Sequence, residues 1–206
     1  MNVPAAITVT PIHVADLHIE GEVMPVCVHV IDHPEGRVLV DTGMTVLHPL
    51  LDDMAPSLSP LTEHDIDLAS IDMVVNTHLH GDHIGGNHLF AGKPIYVQRL
   101  ELEDAHGDDY TIPEWLDAPG VEYLPVDGEL ELLPGVRLVP AAGHTPGSQV
   151  VVVETGGRPI VIAGDTFVWF GEIDEPSTDG QRMVLALHPE QIWLAHVLEP
   201  WRSPTS

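Results

Sequence analysis

The chain has 206 residues, and 32 Asp and Glu against 7 Lys and Arg give it a formal net charge of −25. So acidic a surface repels polyanions, which makes nucleic acid a poor candidate partner and leaves a small molecule as the expected one. The lone Cys27 cannot close an internal disulfide, no stretch approaches the ~20 apolar residues of a membrane span, and the N-terminus carries no basic, apolar leader. A single domain over residues 1–206, in the cytoplasm and away from membranes, is expected.

In chain order, Ala6 to Thr10 reads as a short β run. Val26 to Ile31 and Arg37 to Val40 are β-branched runs joined by Asp32-His33-Pro34-Glu35-Gly36, a hairpin pattern. Residues 45–70 mix proline with apolar residues at helix-like spacing, which predicts one or two helices, with Thr62 as an N-cap. Ile71 to Asn76 is a strand, 84–90 and 98–106 read as helical, and Pro94 to Val97 is a strand between them. Further strands are predicted at Val121–Pro125, Glu129–Leu132, Val136–Pro140, Gln149–Glu154, Pro159–Ala163 and Gln191–Ala195, with a helix at Gln181–Leu187. Strands outnumber helices and both halves mix them. This predicts an α+β fold of two sheets packed face to face with helices outside.

The strand at 71–76 ends in Thr77-His78-Leu79-His80-Gly81-Asp82-His83-Ile84-Gly85-Gly86. Three imidazoles and a carboxylate within six positions, without thiolate, suit zinc, iron, nickel or manganese. Three further donors lie just past apolar strands: His144 after Leu138-Val139-Pro140, Asp165 after Ile160 to Gly164, and His196 after Ile192 to Ala195. Loops at strand ends converge while the sheet holds their bases, so these donors can join the first cluster. Together they suffice for two metals with a shared carboxylate. Gly81, Gly143 and Gly164 permit close backbone approach at this centre. His13, His18, His29, His33, His48, His64, His106 and His188 lack ligand spacing and are expected at the surface or hydrogen-bonded, and His88 points away. No nucleophile elbow, Cys/His pair or phosphate-cradling glycine loop occurs.

On these residues the chain resembles the metallo-β-lactamase superfamily, whose pattern is His-x-His-x-Asp-His followed by a distant His, Asp and His. The likeness runs from Val38-Leu39-Val40-Asp41-Thr42-Gly43 to His196. It implies an αββα sandwich with two divalent metal ions at one edge, zinc by preference, with iron, manganese or a mixed pair as alternatives. His78, His80 and His144 would hold one ion and Asp82, His83 and His196 the other, with Asp165 bridging. Within the superfamily the chain looks like the N-acyl-homoserine lactonases, through Leu39 to Met44, Gly85-Gly86-Asn87, Ile95-Tyr96-Val97-Gln98-Arg99 and Pro134-Gly135-Val136. It departs from them three residues past Asp165, where their tyrosine is replaced by Val168.

The chemistry expected is hydrolysis of a lactone or ester by a hydroxide held between two metals, with Asp82 carrying a proton to the leaving group. Asp41 would orient a ligand imidazole, its alternative being a turn residue at a strand end. Met24, Trp115, Phe167, Trp169 and Phe170 are the candidate lining of an apolar substrate pocket. The alternatives are hydrolysis of another small ester, thioester or phosphotriester, a nuclease, which the charge opposes, an iron-dependent oxidoreductase of the same superfamily, and a non-catalytic metal-binding protein. A homodimer is compatible with all of these.

Overall fold

The β-branched runs pair into two sheets. A computed structural model describes residues 7–204, so Ala6 lies outside the described residues. The first sheet holds β1 (Thr8–Ile19), β2 (Glu22–His33), β3 (Gly36–Val40), β4 (Ser57–Leu58), β5 (Met73–Val75), β6 (Ile95–Gln98) and β7 (Tyr123–Val126), in the order β4-β1-β2-β3-β5-β6-β7. The second holds β8 (Leu130–Leu133), β9 (Val136–Pro140), β10 (Gln149–Val153), β11 (Ile160–Ile162), β12 (Gln191–Trp193) and β13 (Trp201–Arg202), in the order β13-β12-β11-β10-β9-β8. Both are mixed: β3, β5, β6 and β7 run parallel, as do β11 and β12, and the other pairings are antiparallel.

Alternation along the strands sorts the apolar residues into layers. Ile31, Val38, Val40 and Val75 face Leu138, Val151, Val153 and Ile162 across the gap between the sheets. The outward set Val30, Leu39, Val74 and Ile95 packs under Leu79, Ile84, Phe90 and Trp115 of α3 (Pro113–Leu116). On the opposite side Val150, Val152, Val161 and Ile192 meet Ile173 of α4 (Gly171–Asp174) and Val184 of α5 (Asp179–Ala186). The result is the expected αββα sandwich. α5 begins with a capping box, in which Thr178 Oγ1 accepts from Gln181 N and the Gln181 side chain accepts from Thr178 N.

Several elements differ from expectation. Residues 45–70 form three short 3-10 turns, Pro49–Met54, Leu61–Glu63 and Leu68–Ser70, instead of helices. Pro49, Pro56 and Pro60 remove backbone donors, His48 before Pro49 is extended and Ala55 before Pro56 is left-handed (φ 39°, ψ 55°), so no helix propagates. β1 runs to Ile19, well beyond the apolar alternation, through a register shift between His13 and Ala15. The helix expected at 84–90 is instead α1 (Gly81–Ile84) and a 3-10 turn at Asn87–Phe90. That expected at 98–106 is α2 (Arg99–Asp104).

His29 also departs from expectation. It is 2% exposed, its ring lies 5.5 Å from that of Trp193, and its Nε2 has no hydrogen-bond partner. Burial pushes its pKa down from 6.5 to about 3. Between those values the unfolded chain binds a proton that the folded chain refuses, so stability falls as pH falls below 6.5. The slope is about 1.4 kcal/mol per pH unit, or roughly 2 kcal/mol at pH 5. Urea melts of His29→Leu at pH 7 and pH 5 are expected to lack this share of the acid loss. An acid dependence identical to that of the unaltered chain would contradict it.

Candidate metal centre

Three strand ends and two loops meet at one edge of the sandwich. β5 hands its last residues to Asn76, Thr77 and His78, and His80 stays extended (φ −67°, ψ 155°) before α1 starts at Gly81. The α1 turn lies tight against the loop after β3, where a side chain at Gly86 would strike the Thr42 carbonyl. His144 sits in the loop between β9 and β10, Asp165 follows β11, and His196 follows β12. Gly164, at φ +51°, presses on the Thr77 side chain, where only glycine fits without strain.

The donor atoms converge as two overlapping sets. His78, His80 and His144 offer nitrogens within 4.8 Å of one another, and so do Asp82, His83 and His196 with their donor atoms. Asp165 reaches both sets. Its Oδ1 is 3.4 Å from His83 Nε2, and its Oδ2 is 3.2 Å from His196 Nε2, 3.6 Å from His144 Nε2 and 3.9 Å from His78 Nε2. Asp82 Oδ2 lies 3.5 Å from His83 Nε2 and 3.6 Å from His196 Nε2.

This donor set fits divalent cations. His83 Nε2 and Asp165 Oδ1 are buried without a hydrogen-bond partner, although they face each other. His80 Nδ1 stands 3.1 Å from His78 Nε2 and 3.0 Å from His144 Nε2, so three lone-pair-bearing nitrogens crowd one point. Outer partners fix which nitrogen is presented. His83 Nδ1 donates to Asp41 Oδ2 at 2.9 Å, and His196 Nδ1 donates to the Pro25 carbonyl at 2.9 Å. Asp41 also accepts from Thr77 N and Thr77 Oγ1, both at 2.7 Å, which ties it to the strand end carrying His78.

The two sets differ electrostatically. Burial, reinforced by the neighbouring imidazoles His83 and His144 respectively, holds His78 well below its ordinary pKa and His80 down at about 4. Both nitrogens are therefore neutral and ready to coordinate. Burial opposes the charge of His83 and His196 as well, but the surrounding carboxylates win. Asp82, Asp165 and Asp41 raise His83 well above its ordinary value, and Asp165 with Asp82 lifts His196 to about 9. Asp165 is held well below the carboxylate range; burial opposes this, and the His196 and His83 charges outweigh it. In the metal-free chain protons on His83 and His196 occupy the place of a cation. A metal entering that set must displace them.

A cavity of about 400 Å³ opens onto His80, Asp82, His144, Asp165 and His196. Leu17, Met24, Leu50, Leu51, Met54 and Ile112 form its apolar wall, with Tyr110 and Thr111 beside them. Of the expected pocket residues only Met24 lines it. Trp115 is buried against Gly81 and Gly85 beneath α1, and Phe167 is fully buried beside Val184 and Leu194. Trp169, 62% exposed, and Phe170 lie at the surface around α4, because the turn after Asp165 carries them away from the cavity. Leu17, Leu50, Leu51, Met54, Tyr110, Thr111 and Ile112 were not anticipated. The apolar residues of 50–54 belong to a 3-10 turn that the sequence disguised as helix, and Tyr110 follows a polar Gly-Asp-Asp loop. Among the remaining histidines, His88 Nδ1 donates to the Gly85 carbonyl, away from the centre.

A two-sheet sandwich that gathers nitrogen and oxygen donors at one edge defines a candidate metalloprotein. The chain belongs to the metallo-beta-lactamase superfamily, whose family model matches residues 21–194. It is 32% identical over 165 residues to an N-acyl homoserine lactonase of a Bacillus species, covering 72% of this chain and 63% of that enzyme. It thus spans somewhat less than two thirds of that enzyme's length. It is 33% identical over 147 residues to the human metallo-beta-lactamase domain-containing protein 1, covering 68% of this chain and 47% of that one. The crystal structure of a Bacillus thuringiensis AiiA variant with N-decanoyl-L-homoserine bound at its active site superposes with a TM-score of 0.75. That match covers 95% of this chain and 94% of the other at 22% identity, and it bears on the fold.

Proposed function

We propose that this chain is a metal-dependent hydrolase that cleaves a lactone or ester, with N-acyl-homoserine lactones as the substrate class. The observation that carries the reading is the pair of three-donor sets joined by Asp165 beside an apolar cavity. The likeness to the Bacillus lactonase supports it. In this reading His78, His80 and His144 hold one ion, Asp82, His83 and His196 hold the other, and the ions are zinc. Two such cations would supply a water acidified to ionise near neutral pH and a polarised carbonyl.

The protein's own groups do the rest. The wall of Leu17, Met24, Leu50, Leu51, Met54 and Ile112 excludes water and takes an acyl chain, setting the carbonyl over the donors. Asp82 is only partly buried and turns Oδ2 toward His83 and His196. Its other oxygen is available to accept the proton of the attacking water and return it to the departing alkoxide. The charge of −25 favours a small neutral substrate over nucleic acid. The buried, unpaired Cys27 suits a reducing, cytoplasmic setting. The apolar layer shared by the two sheets supports reading residues 1–206 as one domain.

A second reading, hydrolysis of another small ester, thioester or phosphotriester, is favoured by Val168, which brings no hydroxyl to the position of the lactonase tyrosine. A panel of lactones, aryl esters, thioesters and phosphotriesters, followed by acid release, separates the two. Long-chain acyl lactones are expected to turn over best. Turnover of simple aryl esters with acyl lactones untouched would overturn the lactonase reading.

A further inference from the structure

Glu101 is fully buried in α2, yet it touches none of the seven donors. Its carboxylate collects three separate segments. Oε1 accepts from the backbone N of Leu79 at 2.8 Å and from the Tyr110 hydroxyl at 2.5 Å, and Oε2 accepts from Thr145 Oγ1 at 2.6 Å. Leu79 lies between His78 and His80, and Thr145 follows His144. One side chain therefore holds the backbone between His78 and His80 and the side chain of the residue after His144. Gly147 reinforces the grip, because any side chain there would collide with the Glu101 backbone. The set of Asp82, His83 and His196 receives no contact from Glu101 and is braced by Asp41 and the Pro25 carbonyl instead.

Burying a carboxylate is costly unless donors surround it, and here all three donors come from the segments that must converge. A helix packed for stability alone would place an apolar residue at this position. We propose that Glu101 is a positioning residue that pre-assembles the His78, His80 and His144 set, independently of the other set. Through Tyr110 it also anchors the cavity wall to that set. The proposal rests on the ligand reading given above.

The test is titration of the metal-free full chain with Zn2+ against a chromogenic chelator, with His144→Ala and His196→Ala marking which binding step belongs to which set. Glu101→Met keeps volume and helix propensity but deletes the acceptors. It is expected to weaken the step lost in His144→Ala by about 10- to 100-fold, the usual cost of removing an outer partner of a ligand, and to leave the other step within about threefold. Glu101→Gln is expected to restore that step. Its carbonyl can still accept from Leu79 N, and its amide can donate to Thr145 Oγ1, which passes its own proton to Ser148 Oγ, 2.7 Å away. Thr145→Val, which keeps the side chain's shape and deletes one donor to Glu101, is expected to weaken the same step. Equal weakening of both steps, or of neither, in Glu101→Met and Thr145→Val overturns the positioning role while the ligand reading stands. Two unaltered binding steps in His144→Ala and His196→Ala overturn both.

Discussion

Asp165→Ala is expected to abolish turnover, lowering kcat/KM by well over about a hundredfold, the upper range for losing even an outer partner of a ligand. Elemental analysis should show metal falling from two ions per chain to one or none. The Asp165 carboxylate reaches both donor sets, lying within 3.9 Å of His78, His83, His144 and His196. The metal-free protein should suffer as well, because His83 and His196 would lose the buried negative charge that offsets theirs. Breaking a buried pair from one side costs about 3–5 kcal/mol. His80→Ala, at the rim of the site, should lose activity and one ion with a smaller loss of stability. Normal rates in Asp165→Ala would remove the basis for the whole centre.

Asp41→Asn is expected to cost about 10- to 100-fold in Zn2+ affinity at the set containing His83. The backbone at Asp41 is left-handed, φ 59°, a conformation that asparagine tolerates as well as aspartate. The substitution therefore preserves the turn and tests the hydrogen bonds alone. Every partner of the carboxylate is a donor: Thr77 N, Thr77 Oγ1 and His83 Nδ1. An amide NH2 at Oδ1 opposes Thr77 N–H. At Oδ2 it drives His83 to the tautomer that carries its proton on Nε2, the atom needed for the metal. Unchanged affinity in a competition titration would show that Asp41 is only a turn residue.

Much of this architecture was legible in the chain because β-branched runs such as Gln149–Val153 and Val136–Pro140 mark strands by themselves. The donors were legible for a related reason: each follows such a run, so finding the strand located the ligand. What stayed hidden had no local signal. Two-residue strands such as Ser57–Leu58 and Trp201–Arg202 exist only because a neighbouring edge pairs with them. Apolar spacing in 45–70 imitated a helix, but its prolines forbade one. Aromatic side chains at Trp115 and Phe167 are as suited to a core as to a pocket, and packing placed both in the core. Glu101 lies in an acidic stretch with Glu103 and Asp104, and only burial distinguishes it.

The two sheets are stitched together beside the centre by backbone bonds, Cys27 N to the Ala195 carbonyl at 2.8 Å and Gln149 N to the Thr77 carbonyl at 2.9 Å. These stitches join segments far apart in sequence, so an unfolded chain holds no preformed version of either donor set. A cation then recognises the native state almost alone, and mass action makes it part of the folding equilibrium. Each ion present at a hundred times its dissociation constant adds about 2.7 kcal/mol to stability. The melting temperature of this protein is consequently expected to rise with free metal concentration, and a chelator is expected to lower it.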